Sequence, residues 1–206
     1  MIQLFESVKS AMERGENVVL CSILASSGSA PRGAGAKMAV FQDGQTLGTI
    51  GGGAVERIAA RQATELFQTG ASYCQAFCLA PNQVNDIGMI CGGSVTVYFR
   101  FFDHENARDL ELIKTILELL ASGQDAWLVS RMEDGKITAM GTFDEAHGLR
   151  YCTFPKGQTG VYSIGGGYYY FSYEKKAEHD GEKYFSSDVK LCRFTGEGDT
   201  LFEVIE

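Results

Sequence analysis

The chain has 206 residues, 45% of them hydrophobic and 11% aromatic, enough for a packed core and unlike a disordered composition. A formal charge of −8 argues against a nucleic-acid partner, which needs a basic face. There is no continuous apolar leader and no apolar run of 18 residues, so no signal peptide and no membrane span are expected, and the six cysteines read as reduced thiols of a cytoplasmic protein.

Residues 2–14 place Ile2, Leu4, Phe5, Val8, Ala11 and Met12 on one helical face, with Gly15 as the stop. Residues 17–25 (NVVLCSILA) predict a buried strand and 37–41 a second. Asp43-Gly44 marks a turn into a third strand over 46–50. After Gly51-Gly52-Gly53, residues 54–68 predict a helix with Val55, Ile58, Ala59, Ala63, Leu66 and Phe67 inward. Strands are expected at 72–79 and 94–102, joined by the polar loop 81–86 and the sequence GMICGG. A second half begins near Asp103 with an amphipathic helix over 107–121. Short strands follow at 126–132, 136–143, 149–154, 160–164, 168–174, 183–187, 189–194 and 200–205. The fold class is α+β, a mixed sheet with packed helices followed by a mainly antiparallel β half. The division is 1–102 and 103–206, with no Rossmann unit, because no G-x-G-x-x-G follows a strand and opens a helix.

A weak repeat at an offset of 108 matches Leu4, Val8, Met12, Gly15 and Leu20 to Leu112, Ile116, Leu120, Gly123 and Leu128. The second copy lacks the glycine-rich loop after its first strand, so it reads as scaffold.

Three clusters between residues 28 and 93 carry the candidate chemistry. GSAPRGAGAKM (28–38) combines Gly28, Gly33 and Gly35 with the cations Arg32 and Lys37. Such a loop can turn backbone N–H groups toward an anion, with Arg32 adding a bidentate phosphate contact; an ordinary surface loop is the rival reading. GTIGGGAVE (48–56) sets three glycines between a strand and a helix, where N–H groups and the positive helix end meet. Glu56 there either favours the helix end or meets the amine-rich edge of a pterin, and Arg57 and Arg61, one turn apart, read as solvated ion-pairing residues. In GMICGG (88–93) a glycine-flanked Cys91 is either a small buried hydrophobe or a thiolate able to ligate a soft metal or hold sulfur.

The order GSAPR…GAKM…GTIGGGAVE…GMICGG after a strand such as NVVLCSILAS is similar to the signature of the amino-terminal domain of the XdhC/CoxI family. The resemblance covers roughly residues 1–102. It implies a cytoplasmic accessory protein, not itself an enzyme, that binds molybdenum cofactor of molybdopterin type. Such a protein shields the cofactor, promotes its sulfuration with a cysteine desulfurase, and delivers it to an apo molybdenum hydroxylase of the xanthine dehydrogenase type. A homodimer is expected. The site residues it implies are Gly28, Ser29, Pro31, Arg32, Lys37, Gly51, Gly52, Gly53, Glu56, Cys91, Gly92 and Gly93, with Cys91 contacting molybdenum. Family members often continue into a carboxy-terminal Rossmann-like domain, and none is expected within these 206 residues.

Other readings compete. A cysteine hydrolase would need a base near Cys91, yet His104, His147 and His179 all lie outside the signature. Zinc held by Cys74, Cys78 and Cys91 lacks knuckle spacing. A non-catalytic dimeric adaptor remains the alternative, docking a partner through Tyr168-Tyr169-Tyr170-Phe171, a stretch that reads equally as a strand buried on both faces.

Overall fold

The computed structural model describes residues 1–28, 32–33, 35–78, 93–122, 126–133, 136–144, 148–150, 168–179, 182–194 and 202–204; side chains are described through residue 122, those of 25–28 apart. Two compact units result, one of Gln3–Leu110 and one of Met1–Ile2 with Glu111–Glu206.

The first unit opens with helix α1 (Ile2–Glu13), which buries Leu4, Phe5, Val8, Ala11 and Met12 as its periodicity predicts. Gly15 ends it at φ 84°. Its N–H donates to the Met12 carbonyl (3.0 Å) and the Glu16 N–H to the Ala11 carbonyl (3.0 Å), the paired closure that satisfies carbonyls left over at a helix end. Five strands follow: β1 (Val18–Gly28), β2 (Lys37–Phe41), β3 (Thr46–Gly48), β4 (Tyr73–Cys78) and β5 (Gly93–Phe102). They form one sheet in the order β3-β2-β1-β5-β4, with helix α2 (Gly53–Thr69) between β3 and β4.

Every pairing in this sheet is antiparallel, where the sequence predicts a mixed sheet. The reason lies in the placement of α2. A helix that joins two parallel strands usually sets them side by side. Here it carries the chain from one edge, β3, to the other, β4, so the two strands that run the same way never meet.

Strand alternation sorts the side chains onto two faces. Val19, Cys21, Ile23, Met38, Val40, Val95, Val97, Phe99 and Phe101 share one face with Val55, Ala59, Ala63 and Leu66 of α2, while Ile58 and Phe67 pack on its margin. Tyr73 stacks on Phe99 with ring centroids 4.8 Å apart. Gly70, at φ 64°, closes α2 by donating to the Leu66 carbonyl at 2.8 Å. The opposite face buries Val18, Leu20, Ala39, Tyr98 and Phe102. Asn17 ties the strand entrance to the end of β5: its Oδ1 accepts from the backbone N–H of His104 (3.0 Å) and from His104 Nδ1 (2.7 Å).

Helix α3 (Ala107–Ser122) leads into the second unit, burying Leu112, Ile113, Ile116, Leu119 and Leu120. The strands that follow are β6 (Ala126–Glu133), β7 (Lys136–Asp144), β8 (Gly148–Arg150), β9 (Tyr168–His179), β10 (Glu182–Phe194) and β11 (Phe202–Val204). They form a six-stranded antiparallel sheet in the order β11-β10-β9-β6-β7-β8. The two strands predicted at 183–187 and 189–194 are one, because Asp188, which reads as a turn, pairs with Tyr173 inside an unbroken ladder. The strand predicted at 149–154 is described only as Gly148–Arg150, and the one at 160–164 lies outside the described residues, as do the side chains of Tyr168–Phe171. The weak repeat has a structural counterpart: each unit runs from a helix into an inner strand, β1 or β6, that pairs with the strand immediately after it. Among the described residues no helix is long and apolar enough to cross a membrane.

Candidate functional site

The register of the first sheet brings the ends of the three signature clusters to one end of that sheet. Ser22 of β1 pairs with Lys37, the first residue of β2. Gly28, the last residue of β1, pairs with Gly93, the first of β5. Cys78, the last residue of β4, pairs with Ser94, and Gly48, the last of β3, pairs with Met38. The connections 28–37, 49–53 and 79–92 therefore all leave from the same end of the sheet. Gly28 and Gly93, 65 positions apart along the chain, become direct neighbours. Ser29, Pro31, Cys91 and Gly92 lie outside the described residues.

The first connection returns to β1 before β2 begins. The Gly35 N–H donates to the Ile23 carbonyl (2.8 Å), and the Ile23 N–H to the Ala36 carbonyl (2.9 Å). A bulge between Ile23 and Ala25 shifts the register of β1 against β5 at that point. Arg32 is exposed. Lys37 is not: it is buried, and its Nζ donates to the Gly35 carbonyl at 3.0 Å. Its neighbour Met38 belongs to the α2-covered core, so alternation turns Lys37 to the other face of the sheet. The two cations of this cluster thus differ in kind, one open to a ligand and one already bonded to backbone.

The second connection is held by Glu56. Its Oε2 accepts from Thr49 Oγ1 (2.5 Å), from the Ile50 N–H (3.1 Å) and from the Gly52 N–H (2.9 Å). Thr49 Oγ1 in turn accepts from the Gly51 N–H at 3.0 Å. One carboxylate oxygen therefore organises the whole strand-to-helix turn, which passes through Gly51, Gly52 and Gly53 at φ 121°, 73° and 64°. Three successive left-handed residues explain the triplet, since side chains carrying a Cβ rarely adopt that conformation. The N–H groups of Gly51 and Gly52, expected to be open, are consumed inside the turn. The helix start itself has no side-chain cap among the described residues, so the first-turn N–H groups of Gly53, Ala54 and Val55 have no side-chain acceptor there. Among the described residues, a Cβ built on Gly52 would meet nothing within 4 Å, so none of them closes the space above this helix start.

Burial alone would raise the Glu56 carboxyl, but the donors Thr49, Gly52, Ile50 and Gly51 together hold it below the usual carboxylate range. Its folded-state pKa is thus below the unfolded one. The stability it contributes is present above the unfolded pKa and is lost as pH falls through the folded pKa. We expect Glu56→Ala to cost about 2–3 kcal/mol in urea unfolding, since three donors lose a charged acceptor. Glu56→Gln should flatten the acid side of the stability profile, and an acid limb unchanged in that variant would show that another group controls it.

Arg57 and Arg61 are exposed and, among the described residues, neither makes the ion pair expected of it. Glu56, the adjacent carboxylate, is turned inward to Thr49. Thr49 was not among the residues singled out in the sequence. A threonine just ahead of a glycine run, with an acid seven residues on, is the signal that could have found it.

The described cysteines split by environment. Cys21 is fully buried in the α2-side core, and desolvation pushes its thiol well up. Cys74 and Cys78 share the opposite face of edge strand β4; burial pushes Cys74 up to about 11, and Cys78 is exposed. Among the described residues no three His, Cys, Asp or Glu side chains are grouped as a metal site requires.

Residues 11–77 match the model of the XdhC and CoxI family. A solved structure of a xanthine dehydrogenase from Bacillus halodurans shares the fold with a TM-score of 0.63 at 18% identity, over 72% of this chain and 44% of that one. The chain thus spans less than half the length of that protein. A comparison with curated proteins gives no match. The family match runs from the end of α1 through β1, β2, β3 and α2 into β4 and takes in two of the three glycine-bearing connections described above; β5 and the third connection lie outside it.

Proposed function

We propose that the chain is an accessory protein that binds molybdenum cofactor, supports its sulfuration with a cysteine desulfurase, and passes it to an apo molybdenum hydroxylase of the xanthine dehydrogenase type. The observation that carries this reading is the common exit of all three signature connections at one end of the first sheet. The match of residues 11–77 to the model of the XdhC and CoxI family supports it.

The residues present suit an anionic pterin. The uncapped start of α2 offers N–H groups to a phosphate, the open space over Gly52 admits it, and exposed Arg32 can neutralise it. Glu56 acts at one remove: with its Oε2 committed to the turn, it fixes the N–H groups and is a positioning residue. Cys91 would supply the soft sulfur that faces molybdenum, with Gly92 and Gly93 beside it in the same signature cluster. When bound, the group brings redox chemistry that belongs to the client enzyme; this chain holds, shields and releases it. Homodimerisation and a cytoplasmic setting accompany this reading.

Expression in a cofactor-producing host tests it. Molybdenum and pterin fluorescence should co-purify with the protein, and Cys91→Ser should lose most of the molybdenum while its melting curve stays within about 0.5 kcal/mol of wild type, as for a surface substitution. Absence of both molybdenum and pterin from the wild-type protein would overturn the reading. Full molybdenum content in the serine variant would refute the ligand role of Cys91.

A further inference from the structure

Among the described residues the two sheets have four edges, and three of them are strands of three residues: β3 (Thr46–Gly48), β8 (Gly148–Arg150) and β11 (Phe202–Val204). A short edge strand limits the row of unpaired N–H and C=O groups that could recruit another chain. The fourth edge, β4, runs for six residues, and all six pair with β5 without a bulge. Among the described residues no strand pairs with its other side.

β4 also lacks the usual guards of an open edge. Its sequence, YCQAFC, holds no Lys, no Pro and no charge. It lies within a stretch, residues 66–85, that has no Asp, Glu, Lys or Arg, although those types make up 21% of the chain. Two copies of net charge −8 repel one another, and the repulsion is least where neither presents a charge.

The side chains of β4 suit pairing with themselves. A two-fold axis at Gln75 would set Tyr73 opposite the partner's Phe77 and Cys74 opposite the partner's Ala76, each pair on one face of the sheet. Tyr73 and Phe77 both belong to the α2-covered face, where Tyr73 stacks on Phe99, so the aromatic row would continue across the junction. Gln75 would meet its own copy, amide to amide. We infer that β4 pairs antiparallel with β4 of a second copy of this chain, joining two five-stranded sheets into one of ten strands. This inference rests on the homodimer proposed above and specifies its surface. A strand of another protein is the competing occupant; the two-fold match of side chains and the uncharged edge favour the second copy.

Mass measurement by light scattering across a dilution series, on the full chain, tests the assignment. Wild type should reach twice the monomer mass at the concentrated end. Ala76→Lys puts a cation at an exposed position of the edge and should stay monomeric throughout. At the dilute end, where both are monomers, the variant should unfold at the same urea concentration as wild type. Gln75→Cys sets a thiol on the two-fold axis and should give a disulfide-linked dimer with oxidised glutathione, beyond any that wild type forms. Should Ala76→Lys fail to fold, this crosslink decides alone. A wild type that is monomeric at every concentration would overturn the β4 surface and the homodimer together. A dimer that survives Ala76→Lys and gives no crosslink through Gln75→Cys would overturn the β4 surface and keep the homodimer. A monomeric Ala76→Lys beside an uncrosslinked Gln75→Cys would overturn the two-fold pairing at Gln75.

Discussion

Asp109→Ala should destabilise the Gln3–Leu110 unit by about 3–5 kcal/mol, because it leaves a largely buried guanidinium without its counter-charge. Arg100 Nη2 bonds Asp109 Oδ1 at 2.5 Å with side-chain exposures of only 18% and 3%. Asp109 Oδ2 also accepts from the Asp103 N–H at 3.1 Å, so the loss strands a backbone donor too. Arg100 lies 5.2 Å over the Phe102 ring and cannot turn outward without giving up that contact. Replacing both partners by apolar residues, Arg100→Met with Asp109→Leu, should restore most of the stability, since no charge then remains buried. A single variant within about 1 kcal/mol of wild type in urea unfolding would show that water reaches the pair. Desolvation raises the Asp109 carboxyl in spite of Arg100, so its folded pKa exceeds the unfolded one. Its contribution is then full below the unfolded pKa and shrinks as pH rises through the folded pKa, opposite in sense to that of Glu56.

Gly48→Ala is the second large loss. Gly48 sits at φ +85°, and a Cβ there would stand 2.5 Å from the Lys37 carbonyl oxygen and 2.7 Å from Leu4 Cδ1. Leucine can rotate away. The carbonyl cannot, because it accepts from the Thr49 N–H at 3.0 Å and Lys37 is held opposite Ser22 in the β1–β2 ladder. Left-handed strain and the backbone clash together should cost at least about 3 kcal/mol. Adding Leu4→Ala distinguishes the causes: it relieves only the side-chain contact, so the double variant should be no more stable than Gly48→Ala alone. Rescue by the second change would place the strain in leucine packing.

Local features were legible in the sequence. Periodicity located α1, α2 and α3 within a residue or two, and Gly15 and the Asp43-Gly44 turn sit where glycine chemistry puts them. Pairing between distant strands was not, because nothing near Val18 encodes that it will face Phe102. The expected mixed sheet failed for that reason, as did the missed bridge between Asn17 and His104. At the site, the glycine triplet was visible but the consumption of its N–H groups by Glu56 and Thr49 was not, since it depends on the helix folding back over the turn. The cation cluster likewise looked uniform, and only burial separates Lys37 from Arg32.

The position of β1 bears on how the nascent chain folds. β1 has β2 on one side from the hairpin that follows it, but its other side pairs with β5, whose partners for Val18–Gly28 run from Phe102 back to Gly93. During synthesis the strand therefore waits for some 65 to 85 further residues before that ladder can close. Throughout the wait it shows an apolar edge, Val18 to Leu24, to other emerging chains, the situation in which strands pair with the wrong neighbour. A chain that ends before β5 has the first helix, the hairpin and the glycine turn but not the Gly28–Gly93 pairing that brings the third connection to the same end of the sheet.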